Sequence, residues 1–346
     1  MSAWSAEQGL SGVLSVASGW PPQSDLDYRA AIVVNAARDH EGAAQWAIEN
    51  NIPVLIEKPI AVTARAARSV EEAARRKNSK IAAAHVFLFA SYLDNFARRV
   101  GASGELRSID LHWADPAGES RYGETKRYDP GLPVFADCLP HALAILGRLT
   151  DEVPVCLGVR VARGGAAVTL DLMLGKVTCR VHLARNATGR RRTVEAVTVA
   201  TALTLDFTRE PGLIQENGAT VPADPEWNTA PRPVSRMLSA FLAWIAEGRL
   251  DQRLDIGPGV RACEMIETVA ALYSASVLPW LRTRLGTAAT LDDDVRYALA
   301  EMLHAGGPPK GEEGEARLRG ILVALGAPAE IISSALSDFA VTGVKT

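Results

Sequence analysis

Between Ala31 and Phe87, three short apolar runs alternate with two helix-length segments, and this alternation narrows the possible folds more than any other feature. The runs are Ala31–Asn35, Pro53–Ile56 and Lys80–Phe87, the last reading IAAAHVF after its polar start. Short, continuously apolar runs read as strands covered on both faces. Asp39 is placed to cap the first intervening helix, which carries Ala43, Ala44, Trp46 and Ala47 and stops at Asn50-Asn51. Thr63 caps the second, which ends near Lys77-Asn78. Strand–helix–strand–helix–strand order implies a parallel sheet with right-handed crossovers.

Glu57-Lys58-Pro59 follows directly on the second strand. A charged pair at the carboxyl end of such a strand lies where open α/β sheets bind ligands. Asp137 and His141 come about eighty residues later and share one helix face through their i, i+4 spacing. Lysine, histidine and carboxylate together form a workable proton-transfer set. Burial in a cleft is expected to lower the Lys58 pKa, and an ordinary imidazole near 6.5 suits His141 to acid–base work. Pro140 fits only a first helical turn, so the helix is expected to begin at Asp137 or Cys138.

The pattern changes after residue 104. Leu106–Trp113 alternates as a strand, and a polar loop then leads to the Asp137 helix. Strand candidates follow in series at Val153–Val161, Ala166–Leu174, Val177–Leu183, Thr193–Ala200 and Leu203–Thr208. Consecutive strands without intervening helices point to an antiparallel sheet. Val234, Met237, Leu238, Phe241, Trp244 and Ile245 make a helical stripe closed by Gly248, and residues 258–277 form another helix. Helices at about 291–304, 314–325 and 328–340 complete the chain, with Leu318, Ile321, Leu322 and Leu325 needing a partner surface.

A net charge of −3 gives no electrostatic basis for nucleic-acid binding. Four scattered cysteines, Cys138, Cys156, Cys179 and Cys263, contain no C-x-x-C and argue against a metal or disulfide framework. Reduced thiols, no signal-peptide pattern and no membrane-spanning run lead to the expectation of a cytoplasmic protein.

These residues also carry a family resemblance. The segment AAIVVNAARDHEGAAQWAIENNIPVLIEKP, ending at Pro59, resembles the second half of the dinucleotide-binding domain of the Gfo/Idh/MocA oxidoreductases. ADCLPHALAIL resembles that family's D-x-x-x-H helix, and the stretch from Ser235 to Ser276 resembles its closing helices. The resemblance covers roughly residues 27–285. It implies a truncated Rossmann-like domain at 1–104, an α+β substrate and oligomerisation domain with an open, mainly antiparallel sheet at 105–285, and a helical extension at 286–346.

Two departures from the family shape the functional expectation. The glycines Gly9, Gly12 and Gly19 do not make the G-x-G-x-x-G turn that cradles a pyrophosphate, and Pro21-Pro22 disfavour a following helix. The turn after the first strand carries Ala36-Ala37 where the family often has a Thr/Pro pair. A degenerate nucleotide site with weak NAD(P) binding is therefore expected.

By resemblance, Lys58, His141 and Asp137 are the catalytic candidates, and Asn35, Glu57, Lys58 and Pro59 flank the cofactor. His85, Arg121, Tyr122, Lys126 and Tyr128 are candidate substrate contacts, the last four in a basic, aromatic loop that also holds Arg127. His112 and His182 read as surface or structural residues, and no metal cluster stands out. Three functions remain open: an NAD(P)-dependent oxidoreductase of a sugar-like or hydroxylated small molecule, a cofactor-independent isomerase, lyase or cyclase, and a non-catalytic partner of a longer relative. A homo-oligomer, or a hetero-oligomer with such a relative, follows from the resemblance.

Overall fold

A computed structural model describes residues 28–116, 120–121, 124–125, 129, 131–285 and 293–304, with further helical positions between 316 and 333. The first apolar runs form the expected parallel sheet. Its strands are β1 (Ala31–Val33), β2 (Val54–Ile56) and β3 (Ile81–Ala83), in the order β1-β2-β3. Ala31 lies beside Val54, and Val54 beside Ile81. The third strand is shorter than its apolar run, because His85 leaves the extended conformation and opens a 3-10 turn over Val86–Phe89.

The connections are α1 (His40–Glu49) and α2 (Ala64–Lys77). Thr63 caps α2 as expected, its Oγ1 accepting from the Ala66 N–H at 3.1 Å. Asn78 ends α2 in the left-handed conformation. Asp39 makes no side-chain cap, since it closes a 3-10 turn over Ala37–Asp39 instead. Helix α3 (Ser91–Ala102), not foreseen from the sequence, buries Tyr92, Leu93, Phe96 and Val100.

The second sheet has eight strands. They are β4 (Leu106–Pro116), β7 (Pro154–Ala162), β8 (Ala167–Leu174), β9 (Val177–Ala187), β10 (Arg191–Thr198), β11 (Ala202–Asp206), β12 (Leu213–Glu216) and β13 (Ala219–Pro222). The short strands β5 (Ser120–Arg121) and β6 (Glu124–Thr125) pair separately. The eight-stranded order is β13-β12-β11-β10-β4-β9-β8-β7, antiparallel throughout except for the parallel pair β4–β9. Strict alternation along β4 buries Ile109, Leu111 and Trp113 and turns Asp110 and His112 to the other face. The β12–β13 hairpin turns on Asn217-Gly218, both at positive φ, a pair suited to a two-residue turn.

Helix α4 (Val134–Leu149) covers the apolar face of this sheet. It starts earlier than expected and keeps Pro140 inside, so the Ala136 carbonyl lacks a helical N–H partner. Helix α5 (Pro233–Glu247) places Met237 and Phe241 against one face of the parallel sheet. Helix α6 (Gly257–Leu285) places Val260 and Cys263 in the core on the other face, then packs against the large sheet through Ile266, Val269 and Tyr273. Gly165 must be a glycine here, because a Cβ would come within 2.0 Å of the Tyr273 hydroxyl. Lys80 ties the layers together by donating to the Trp244 and Ile245 carbonyls near the end of α5, at 3.1 and 3.0 Å.

The described part of the C-terminal region packs against the large-sheet core. Helix α7 (Asp293–His304) buries Val295, Tyr297, Leu299 and Ala300 in the core under the large sheet, where Leu322 and Ile332 also lie. Buried Arg185 on β9 donates from Nε to both carboxylate oxygens of Glu301 at 2.9 and 3.0 Å. No described helix is long and apolar enough to cross a membrane. Because Leu299 is fully buried, Leu299→Ala is expected to lower stability by about 2–5 kcal/mol. Urea unfolding measures this, and a loss below about 0.5 kcal/mol, the range of surface substitutions, would show that α7 is not part of the core.

Candidate functional site

β2 ends at Ile56, and the chain leaves the carboxyl edge of the parallel sheet through Glu57, Lys58 and Pro59. Two hydrogen bonds fix this exit. The Glu57 N–H donates to the Val33 carbonyl at 2.9 Å, and the Glu57 carboxylate accepts from the Lys58 N–H at 2.6 Å. Burial raises the Glu57 pKa against the opposing pull of Lys58. The Lys58–Pro59 peptide is cis. His40, buried at the start of α1, holds the exit from the side: Nδ1 lies 2.7 Å from the Pro59 carbonyl and Nε2 lies 3.1 Å from the Asn35 carbonyl. A neutral ring donates to one of these oxygens at a time, and an imidazolium donates to both.

Lys58 points across to the first turn of α4. Its Nζ donates to Asp137 Oδ1 at 2.6 Å and to the Asp137 carbonyl at 2.9 Å. The two side chains are only 14% and 23% exposed, so water screens the pair weakly. Burial, the largest influence on Lys58, disfavours its charge, but Asp137 and lesser neighbours outweigh it and carry the pKa above the ordinary 10.5. This corrects the expectation of a lowered pKa: Lys58 is a held ammonium at neutral pH, not a lysine poised to lose its proton.

His141 sits one turn further along α4. Its ring stacks on Trp113 at 5.0 Å and 21°, and meets Phe87 edge-on at 5.0 Å. Trp113 is sandwiched, because the Arg192 guanidinium lies 3.3 Å over the ring. Arg192 is itself paired with buried Asp115. The stack runs from the large sheet to the imidazole and fixes its plane.

His85 follows β3 at the same carboxyl edge. It is buried, and neither ring nitrogen has a protein partner. Burial first, then the charges of Arg261 and Lys58, push its pKa down to about 4. It is a neutral imidazole at pH 7, with one donor and one acceptor unmet.

The structure thus brings Lys58 and Asp137 into contact, with His141 on the same helix and His85 near enough to feel the Lys58 charge. Glu57 and Pro59 frame Lys58, while the Asn35 side chain is exposed and only its carbonyl takes part. Arg121 falls in β5, and Tyr122, Lys126, Arg127 and Tyr128 lie outside the described residues. His40, Phe87, Trp113 and Arg192 were not foreseen as supports. The inward parity of Trp113 on an alternating strand was the available signal. A G-x-G-x-x-A run at Gly257–Ala262 opens α6, but a 3-10 turn precedes it rather than a strand. Its Gly259 serves helix–sheet packing, since a Cβ there would come 3.1 Å from Ile60.

The raised Lys58 pKa fixes the sign of a pH effect. A lysine whose folded pKa exceeds its unfolded value adds stability that is fully present below the unfolded value and lost as pH rises through the folded one. The stability gap between wild type and Lys58→Met should stay level up to about pH 10 and shrink above 10.5. Urea unfolding across that range checks it, and a gap already closing near pH 9 would contradict the held ammonium.

Residues 20–85 match the family model described as "Oxidoreductase family, NAD-binding Rossmann fold", that of Gfo/Idh/MocA. No curated protein matches the chain. Among solved structures, it is similar to a UDP-N-acetylglucosamine 3-dehydrogenase, GnnA, from Acidithiobacillus ferrooxidans. The identity is 19% over 72% of this chain and 79% of that one, with a TM-score of 0.60. The aldose-aldose oxidoreductase of Caulobacter crescentus, complexed with glycerol, gives 17% identity over 73% and 79%, with a TM-score of 0.62. KijD10, a 3-ketoreductase from Actinomadura kijaniata in complex with TDP-benzene and NADP, gives 16% over 72% and 80%, with a TM-score of 0.60. At such identities these structures speak for the fold. The match over residues 20–85 and the shared fold both agree with the resemblance to the Gfo/Idh/MocA oxidoreductases read from the sequence.

Proposed function

We propose that the chain is a nicotinamide-dependent oxidoreductase acting on a sugar-like, polyhydroxylated small molecule. The observation that carries this reading is the Lys58 ammonium, held by Asp137 at the carboxyl edge of the parallel sheet. Open α/β sheets bind ligands at that edge. The similar structures include a dehydrogenase named for a nucleotide sugar, an aldose oxidoreductase and a ketoreductase complexed with NADP, which supports the substrate class.

The residues present on the reacting side fit such a ligand. His85 offers two buried ring nitrogens without a protein partner, and Lys58 offers a fixed charge. NAD(P), when bound, supplies the hydride acceptor or donor. The sequence contains no G-x-G-x-x-G run, so in this reading the pyrophosphate is held by other elements or another subunit, and the isolated chain binds the cofactor weakly.

The protein's own groups handle charge and proton. Lys58 stabilises the negative charge that develops on the substrate oxygen as a hydroxyl becomes a carbonyl, or the reverse. Asp137 keeps Lys58 charged and aimed. His141, with its ring plane set by Trp113, takes the hydroxyl proton in one direction and returns it in the other. Neutral His85 accepts from one ligand group and donates to another.

Calorimetry of the isolated chain should give an NAD(P)H dissociation constant no tighter than about a millimolar, some −4 kcal/mol. A low-micromolar constant would contradict the degenerate nucleotide site. Turnover is read from NAD(P)H absorbance against a panel of aldoses and nucleotide sugars. Lys58→Met and His141→Ala should each lower it by about 10²-fold or more, with substrate affinity less affected. Wild-type turnover in both variants would overturn the assignment and favour a non-catalytic partner subunit.

A further inference from the structure

The face of the large sheet opposite α4 carries a second group of chemistry-bearing side chains. Asp110 and His112 alternate with buried Ile109, Leu111 and Trp113 on β4. The parallel neighbour β9 sets His182 directly beside His112. The two imidazoles stack at 4.2 Å and 6°, so their edges point the same way. His112 Nε2 lies 2.8 Å from Asp110 Oδ1, and His182 Nε2 lies 3.4 Å from Asp110 Oδ2. One ligand atom from each of the three residues falls within 4.8 Å of the other two.

The surroundings leave these atoms available. Thr169 Oγ1 lies 3.1 Å from His182 Nδ1. In the tautomer with its proton on Nδ1, the ring donates to the hydroxyl and keeps the Nε2 lone pair free. Arg180 sits directly opposite Asp110 in the sheet, yet its Nε donates to Asp171 at 3.1 Å, and Arg160 also pairs with Asp171. Asp110 is thereby left to the imidazoles. Glu195 lies opposite Asp110 on β10 and adds a further carboxylate to the same face. A depression of about 410 Å³ lies beside the group, lined in part by Asp110, Arg180 and Glu195 and by neither histidine.

We propose that Asp110, His112 and His182 form a binding site for a borderline divalent cation such as Zn²⁺, separate from the Lys58 site. Two imidazoles and a carboxylate are a donor set suited to Zn²⁺, Co²⁺ or Ni²⁺ and poorly suited to Mg²⁺. With bonds of about 2.0–2.2 Å, tetrahedral donors stand about 3.3 Å apart. The histidine-to-carboxylate distances, 2.8 Å to Oδ1 and 3.4 Å to Oδ2, lie near that spacing, and one ligand atom of each residue stays within 4.8 Å of the others. Small side-chain rotations make the two stacked rings converge, and water or Glu195 completes the shell.

The metal-free full chain, titrated with Zn²⁺ by calorimetry and with Co²⁺ by visible absorption, tests the site. The expected result is about one ion per chain with a tetrahedral nitrogen–oxygen Co²⁺ spectrum and no thiolate charge-transfer band. His112→Asn, His182→Asn and Asp110→Asn should each weaken binding by at least about tenfold, and Thr169→Val by about tenfold through the lost support of His182. All four residues are outside the sheet's core, and circular dichroism confirms that the variants fold. Wild-type melting temperature should rise with Zn²⁺ and that of the variants should not. No stoichiometric binding, or binding unchanged in all three ligand variants, would overturn the proposal. So would variants that lose the same stability with and without Zn²⁺, which would make the cluster a hydrogen-bonded structural set.

Discussion

The Lys58–Asp137 ion pair is the interaction on which the site depends. It joins the exit of a parallel strand to the first turn of a helix that lies on the other sheet, across 79 residues of sequence. A pair this sheltered is costly to desolvate, and removing one member leaves the other charge without compensation. Here the lysine also donates to the Asp137 carbonyl, and the Glu57 carboxylate accepts the Lys58 N–H, so backbone and side chain are fixed together. The ammonium is consequently a stationary charge at the carboxyl edge of the parallel sheet. That arrangement suits electrostatic stabilisation of a developing alkoxide better than it suits proton abstraction by lysine.

The rest of the site is built outward from that charge. Trp113 projects from the buried face of β4, stacks on His141 and is covered by Arg192. Arg192 is neutralised by Asp115, so the cation over the ring brings no uncompensated charge into the core. His85 completes the edge as a neutral imidazole, its protonation suppressed by burial and by the nearby cations Arg261 and Lys58. One sheet supplies the charge, and the other supplies the surface that positions the imidazole.

Local signals were legible in the sequence, and non-local ones were not. The period of apolar runs gave the parallel sheet, and alternation gave most of the antiparallel one, because each pattern is written within one element. Thr63 and Gly248 announced helix ends through chemistry that acts over three or four residues. The Asn217-Gly218 hairpin was equally local and was overlooked. Pro140 misled, because tertiary packing of α4 outweighs the missing hydrogen bond and lets the helix start at Val134. Helix α3 lies beyond the run at Lys80–Phe87 and was not read from the sequence, although its buried Tyr92, Leu93, Phe96 and Val100 keep a helical spacing. The meeting of Asp110 and His112 with His182 requires β4 and β9 to pair in parallel, which no spacing in the sequence encodes. The direction of the Lys58 shift likewise depends on which effect wins. Burial alone lowers it, and only the geometry shows that Asp137 prevails.

A double-mutant cycle over Lys58→Met and Asp137→Asn, followed by urea unfolding at neutral pH, measures the pair itself. If the ammonium and carboxylate hold each other as described, the two substitutions will be non-additive by about 1–3 kcal/mol, the range for residues in direct contact. Strict additivity, within about 0.3 kcal/mol, would mean that the two charges do not interact and that Lys58 is not fixed by Asp137.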